Sequence, residues 1–230
     1  MRSEPLKNSQ SYIPALRFNV LTSLYDPLIR WFMPEEQFKR RLLQEARIKP
    51  GFQALDLGCG TGTLALMLKQ ETPEARVYCI DSDPHVLSIA RAKAAESGME
   101  ILFQEGMAFN LPYPENTFDR VLTSLVLHHL TTENKKKTLS EIFRVLRPGG
   151  ELHVADFARP QGLWATVSSL VVRWLEEAHD NIKGLIPEMI KAAKFTEIEE
   201  YANFSTIFGT ISLIRARKDS SWNFIEFQHH

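Results

Sequence analysis

A short apolar run, Phe52 to Leu57, breaks off into Gly58-Cys59-Gly60-Thr61-Gly62, and a leucine-rich run, Thr63 to Leu68, begins at once. That order reads as strand, tight glycine turn, helix. Glycines at alternate positions leave bare backbone, with no Cβ in the way, beside whatever docks at the helix N-terminus. A strand that feeds such a turn belongs to an α/β fold, so the rest of the chain must supply further strands and covering helices.

From Gly51 onward it does. Arg76 to Ile80 reads as a buried strand. Asp83 as N-cap and Pro84 at the first helical position open a helix. In it Val86, Leu87, Ile89, Ala90 and Ala94 recur at helical spacing, and Gly98 suits its C-terminus. Ile101 to Phe103 and Arg120 to Ser124 are the third and fourth strands. Leu139, Ile142, Phe143 and Leu146 mark a helix that stops at Arg147-Pro148-Gly149-Gly150, before a fifth strand from Glu151 to Phe157. Ala192 to Tyr201 and Thr210 to Ala216 leave no room for a crossover helix and should form an antiparallel hairpin at a sheet edge. The expectation is a doubly wound, mostly parallel sheet covered on both faces.

Two aromatic-rich segments lie outside that alternation. Residues 12–48 carry Phe18, Leu21, Leu24, Trp31 and Phe32, and residues 162–178 place Trp164, Val167, Leu170 and Trp174 on one helical face. Both are expected to roof a pocket at the sheet's C-terminal edge. The expected division is an N-terminal helical lid (1–48), a ligand-binding domain (49–218) with a lid insertion (162–190), and a tail (219–230).

Composition narrows the partners. The 230 residues carry a net charge of −1, which favours neither nucleic acid nor an anionic membrane surface. The one basic cluster, Lys135-Lys136-Lys137, reads as a solvated helix face. No apolar stretch reaches the ~20 residues that span a bilayer, and the polar Met1 to Gln10 lacks a signal-type apolar core. Two cysteines, Cys59 and Cys79, make no disulfide framework and read as reduced thiols of a cytoplasmic protein. No metal-site spacing occurs among the histidines and acids.

Two ligand classes use a glycine turn of this kind. A dinucleotide site requires G-x-G-x-x-G, and Thr63 stands where its third glycine should fall. S-adenosylmethionine can set its methionyl carboxylate on the same helix terminus. It also needs a carboxylate for its ribose at the end of the second strand, where Asp81 stands.

Here the chain resembles the class I S-adenosylmethionine-dependent methyltransferases. The resemblance rests on Leu55 to Gly62, Ile80-Asp81-Ser82-Asp83-Pro84, and Leu111-Pro112-Tyr113-Pro114 followed by Phe118-Asp119. It rests further on Leu127-His128-His129-Leu130 and on Arg144-Val145-Leu146-Arg147-Pro148-Gly149-Gly150. It implies a Rossmann-like α/β fold with a seven-stranded sheet, S-adenosyl-L-methionine as cofactor, and a small-molecule acceptor, with a homodimer left open. Tyr25-Asp26 and the stretch from Phe204 to Gly209-Thr210 are similar to the ubiquinone/menaquinone-biosynthesis type. Those enzymes carry an Arg-Asn pair where this chain has His128-His129.

Carried over residue by residue, the resemblance places Gly58, Cys59 and Gly60 against the methionyl moiety. Asp56 orients the turn or the cofactor's ammonium, Asp81 binds the ribose, and Ser82 lies near the adenine. Gly106, Met107 and Ala108 border the adenine, and Ser124 and Leu125 contact the amino-acid part. The family often has an acid at the position of Met107, and a thioether is a poor hydrogen-bond acceptor. For a general base the candidates are His129, His128 and Tyr25. Two other readings compete: a catalytically silent cofactor-binding subunit and a nicotinamide-dependent oxidoreductase.

Overall fold

The computed structural model describes residues 35–159, 179–206 and 209–220. Seven strands form one sheet: β1 Gln53–Leu57, β2 Arg76–Asp81, β3 Leu102–Glu105, β4 Phe118–Ser124, β5 Leu146–Ala158, β6 Thr196–Thr206 and β7 Gly209–Arg217. Their order is β3-β2-β1-β4-β5-β7-β6. The first five run parallel, while β7 pairs antiparallel with both β5 and β6. The expected mostly parallel sheet with an antiparallel C-terminal hairpin is what forms. The β6 start shifts from Ala192 to Thr196, because the helix Ile186–Ala192 occupies the earlier residues.

Side chains alternate along each strand and so feed two cores. Leu55 and Leu57 of β1 face one cluster with Val121, Leu152, Val154 and Ile214, under α4 Thr132–Val145 and α6 Ile186–Ala192. Ala54 faces the other, with Val77, Cys79, Leu122 and Leu213, under α1 Glu35–Ala46, α2 Thr63–Glu71 and α3 Pro84–Glu96. Helix α1 contributes Phe38, Leu42, Leu43 and Ala46 to that second core, and Phe38 meets Phe204 edge-on at 6.3 Å between ring centroids. At about 1.5–3 kcal/mol for each fully buried large apolar side chain, α1 is a structural layer of the sheet. Of the two expected lids, residues 1–34 and 162–178 lie outside the described residues, as does Tyr25.

Several motif residues turn out to be clamps. Asp119 accepts two contacts from the Arg147 guanidinium, both at 2.8 Å, and one from the Gln53 N–H. Arg144 donates to the carbonyls of Leu111 and Tyr113, while the Glu141 carboxylate accepts the Leu111 N–H. Asp83 caps α3 through the His85 N–H, as its sequence position predicts.

The lysine cluster departs from the expected solvated face. Lys136 and Lys137 are exposed, but Lys135 is fully buried, with its ammonium 3.2 Å from Asp180. Position 135 falls on the inner stripe of α4, where Thr138, Leu139 and Ile142 follow it into the core. Asp180, on the short helix α5 His179–Ile182, also accepts the Thr132 hydroxyl at 2.6 Å. This buried pair ties α5 to the start of α4. No helix among the described residues is long and apolar enough to cross a membrane.

Candidate active site

The glycine turn sits at the C-terminal end of β1, where ligands of open α/β sheets bind. All three of its glycines have left-handed φ: +68° at Gly58, +53° at Gly60 and +77° at Gly62. Their surroundings differ. A Cβ on Gly58 would stand 2.4 Å from Val126, and one on Gly62 3.0 Å from Ala90. Gly62 is thus the close-packing glycine between α2 and α3, a role that spacing alone had assigned to the position of Thr63. A Cβ on Gly60 would meet nothing within 4 Å. Gly60 is the face the turn leaves open.

The turn is held from beneath by β2. The N–H groups of Gly58 and Cys59 donate to the Ile80 carbonyl. The Gly60 N–H donates to Asp81 Oδ2 at 2.8 Å, and Oδ1 accepts the Asp83 N–H at 3.0 Å. Each Asp81 oxygen retains another lone pair. The acid expected to meet a ribose therefore also fixes the turn beside it, which the sequence did not disclose. Ser82 follows it, half-buried, as are Gly106, Met107 and Ala108. Gly106 donates its N–H to the Asp81 carbonyl, and a Cβ there would strike Ile80 at 2.8 Å.

Asp56 is buried in β1, and its Oδ2 has no hydrogen-bond partner among the described residues. Burial pushes its pKa up to about 7, against the pull of the Lys39 ammonium and the Ala65 N–H. Lys39, from α1, was not anticipated. Cys59 and Cys79 are both buried and free.

At the end of β4, Ser124 Oγ is buried and unpartnered among the described residues. Leu125 takes φ +60°, a conformation that costs a non-glycine residue about 1 kcal/mol or more. Its N–H is tied to the Ala155 carbonyl at 2.8 Å. The chain then enters a single 3-10 turn, Leu127–His129.

That turn is organised by Asp156, which the sequence reading passed over. Asp156 Oδ2 accepts the N–H groups of Val126 and Leu127, at 3.1 and 2.7 Å. Oδ1 accepts the Phe157 N–H at 2.7 Å and lies 2.8 Å from His128 Nδ1. Burial would raise the Asp156 pKa, but the His128 ring and the backbone donors outweigh it and hold the carboxyl below its ordinary range. His128 is buried, its ring tilted by 42° against His129 at 3.9 Å and edge-on to Phe157 at 4.9 Å. His129 keeps a solvent-exposed edge, and crowding and the His128 ring draw its pKa down. Among the described residues, the geometry thus gives the fixed carboxylate partner to His128 and none to His129. The available signal was an acid following the apolar pair Val154-Ala155, at the C-terminal end of the strand where such sheets bind ligands.

The residues present suit a sulfonium cofactor with a carboxylate and a ribose: an open glycine face at a helix N-terminus, an anchored acid one strand away, and buried polar atoms on Asp56 and Ser124 left without partners. Residues 54–150 match the methyltransferase-domain family. With the sheet order and the glycine turn, this match marks residues 54–150 as a methyltransferase domain. It is 39% identical over 145 residues to the demethylmenaquinone methyltransferase of Thermus thermophilus, covering 62% of this chain and 65% of that one. It is 31% identical over 163 residues to the ubiquinone/menaquinone biosynthesis C-methyltransferase of Blochmanniella floridana, covering 69% of this chain and 63% of that one. The chain thus spans just under two thirds of each. Among solved structures, a phosphoethanolamine N-methyltransferase of Haemonchus contortus bound to S-adenosylhomocysteine shares the fold. Its TM-score is 0.67 at 17% identity, over 80% of this chain and 52% of that one.

Proposed function

We propose that the protein transfers a methyl group from S-adenosylmethionine to a small, partly apolar acceptor. The observation that carries this is the glycine turn: closed by Val126 at Gly58 and by Ala90 at Gly62, open at Gly60, and pinned by Asp81. The cofactor supplies an activated methyl on a sulfonium, which a nucleophile displaces in line. The chain's own residues hold and orient. The open face at Gly60 lets the methionyl carboxylate approach the α2 N-terminus, whose N–H groups receive it. Asp81 takes ribose hydroxyls on its spare lone pairs, with Ser82 close by. Gly106, Met107 and Ala108 border the adenine, and Ser124 and Leu125 the amino-acid part. His128, oriented by Asp156, stands ahead of His129 as the group able to take a proton from an acceptor that is protonated when it attacks.

The relatives' names, demethylmenaquinone methyltransferase and ubiquinone/menaquinone biosynthesis C-methyltransferase, support a quinone-type acceptor. The free, buried cysteines support a cytoplasmic setting.

Calorimetric titration tests the cofactor. S-adenosylhomocysteine should bind and NAD should not. Asp81→Ala should weaken S-adenosylhomocysteine binding by about 1–3 kcal/mol, since the ribose and the turn both lose a charged acceptor. Tight NAD binding without S-adenosylhomocysteine binding would overturn the proposal.

A further inference from the structure

Beside Asp156 the fold leaves a cavity of about 290 Å³, between the β5–β7 face of the sheet and the α5–α6 segment. That is the small end of ligand-pocket sizes. Its inner wall is apolar where Val154, Ile186 and Ile214 line it, all buried. Two polar side chains break that wall. Asn181, from α5, is 0% exposed, and neither its amide oxygen nor its nitrogen has a hydrogen-bond partner among the described residues. Ser212, from β7, is 1% exposed, and its hydroxyl is likewise unpartnered. They reach the cavity from different elements, one helical and one in the sheet. Buried polar side chains without partners are uncommon in folded proteins and unfavourable, so two on one small cavity point to a partner that enters it.

The charges around the cavity limit what that partner is. Asp156 lines the wall and pairs across the sheet with Ser212, but its four hydrogen bonds, to three backbone N–H groups and His128, engage both its oxygens. Glu188, Glu200 and Arg159 lie at the exposed rim, where Arg159 donates to the Lys183 carbonyl and Glu200 accepts from Asn203. An anion would meet three carboxylates. A cation would find no uncommitted carboxylate inside. A neutral molecule with one hydroxyl or carbonyl matches an amide and a hydroxyl, each able to donate and accept.

Resting on the methyltransferase reading above, we propose that this cavity holds the methyl acceptor. Asn181 and Ser212 grip a neutral hydroxyl or carbonyl group of it, and its ring lies between Val154, Ile186 and Ile214. The acceptor class is a neutral ring alcohol or ketone small enough for the cavity, and the two polar residues determine its specificity and orientation.

The probes are 1-naphthol and 1-tetralone, titrated calorimetrically into the full chain saturated with S-adenosylhomocysteine. At least one should bind saturably. Asn181→Leu and Ser212→Ala should each weaken that binding about tenfold, while S-adenosylhomocysteine affinity stays within twofold. Asn181→Leu should also raise Tm by about 2 °C or more, because it removes an unpaired buried amide. A residue with only a structural role would lower Tm on the same change. Neither probe binding, equal binding to the variants, or a lowered Tm in Asn181→Leu would each overturn the assignment. Loss of S-adenosylhomocysteine binding in the unmodified protein would instead overturn the cofactor reading. The probe titrations, repeated without S-adenosylhomocysteine, would then judge the cavity by the same variant criteria.

Discussion

Gly58 and Gly60 share a left-handed backbone and answer to different neighbours. At Gly58 the obstacle is protein: Val126 would overlap any Cβ, so the turn could not close on β4. At Gly60 the space is open. The two alanine variants should therefore fail in different ways. Gly60→Ala pays only the left-handed penalty, about 1 kcal/mol of stability, yet its methyl projects from the open face of the turn. It should lower S-adenosylhomocysteine affinity at least tenfold with little change in urea midpoint. Gly58→Ala adds steric overlap to the same penalty and should cost roughly 2 kcal/mol or more of stability. Urea denaturation beside calorimetry separates them; identical profiles for the two variants would contradict the division of roles.

Among the elements, α1 is the one whose role the structure sharpens most. Phe38, Leu42 and Ala46 are fully buried against the sheet. Phe38→Ala should destabilise the fold by about 3–5 kcal/mol, as large-to-small core changes do, measured as a drop in urea midpoint at unchanged slope. A near-neutral result would mean that α1 can detach from the sheet. The strands and their covering helices were readable because burial on both faces writes continuous apolar runs bounded by Gly, Pro and Asp. The clamps were half readable. Arg147, Asp119 and Arg144 stand in the sequence motifs, but their partners lie about thirty residues away and are joined only by the fold, and Glu141 carried no signal. Asp156 and Lys39 were not readable for the same reason. Asp156 serves a turn that begins thirty residues before it, and the Lys39 charge on α1 acts on Asp56 of β1 only through the fold. Asn181 and Ser212 carry no local signature at all, since an unpaired polar group is defined by what fails to surround it.

At the scale of the whole molecule, seven strands and two cores hold one ionisable group under the glycine turn in an environment that disfavours its charge. Asp56 in the folded chain keeps its proton up to about pH 7, whereas in the unfolded chain it releases it near the ordinary aspartate value of about 3.9. Between those limits the folded state binds the extra proton. Stability from this group is therefore full below about pH 4, declines as pH rises, and is spent by about pH 7. Lys39 moderates the decline by favouring the carboxylate. Asp56→Asn keeps the shape and removes the titration. Its stability relative to the unmodified protein should thus rise between pH 4.5 and pH 8, by an amount on the order of 2–4 kcal/mol. Other carboxylates titrate in the same range in both proteins, so the difference between the two denaturation profiles isolates this one group. Parallel profiles across that range would show that Asp56 is ionised in the folded protein at the lower pH, and that the turn rests on a buried charge compensated by Lys39.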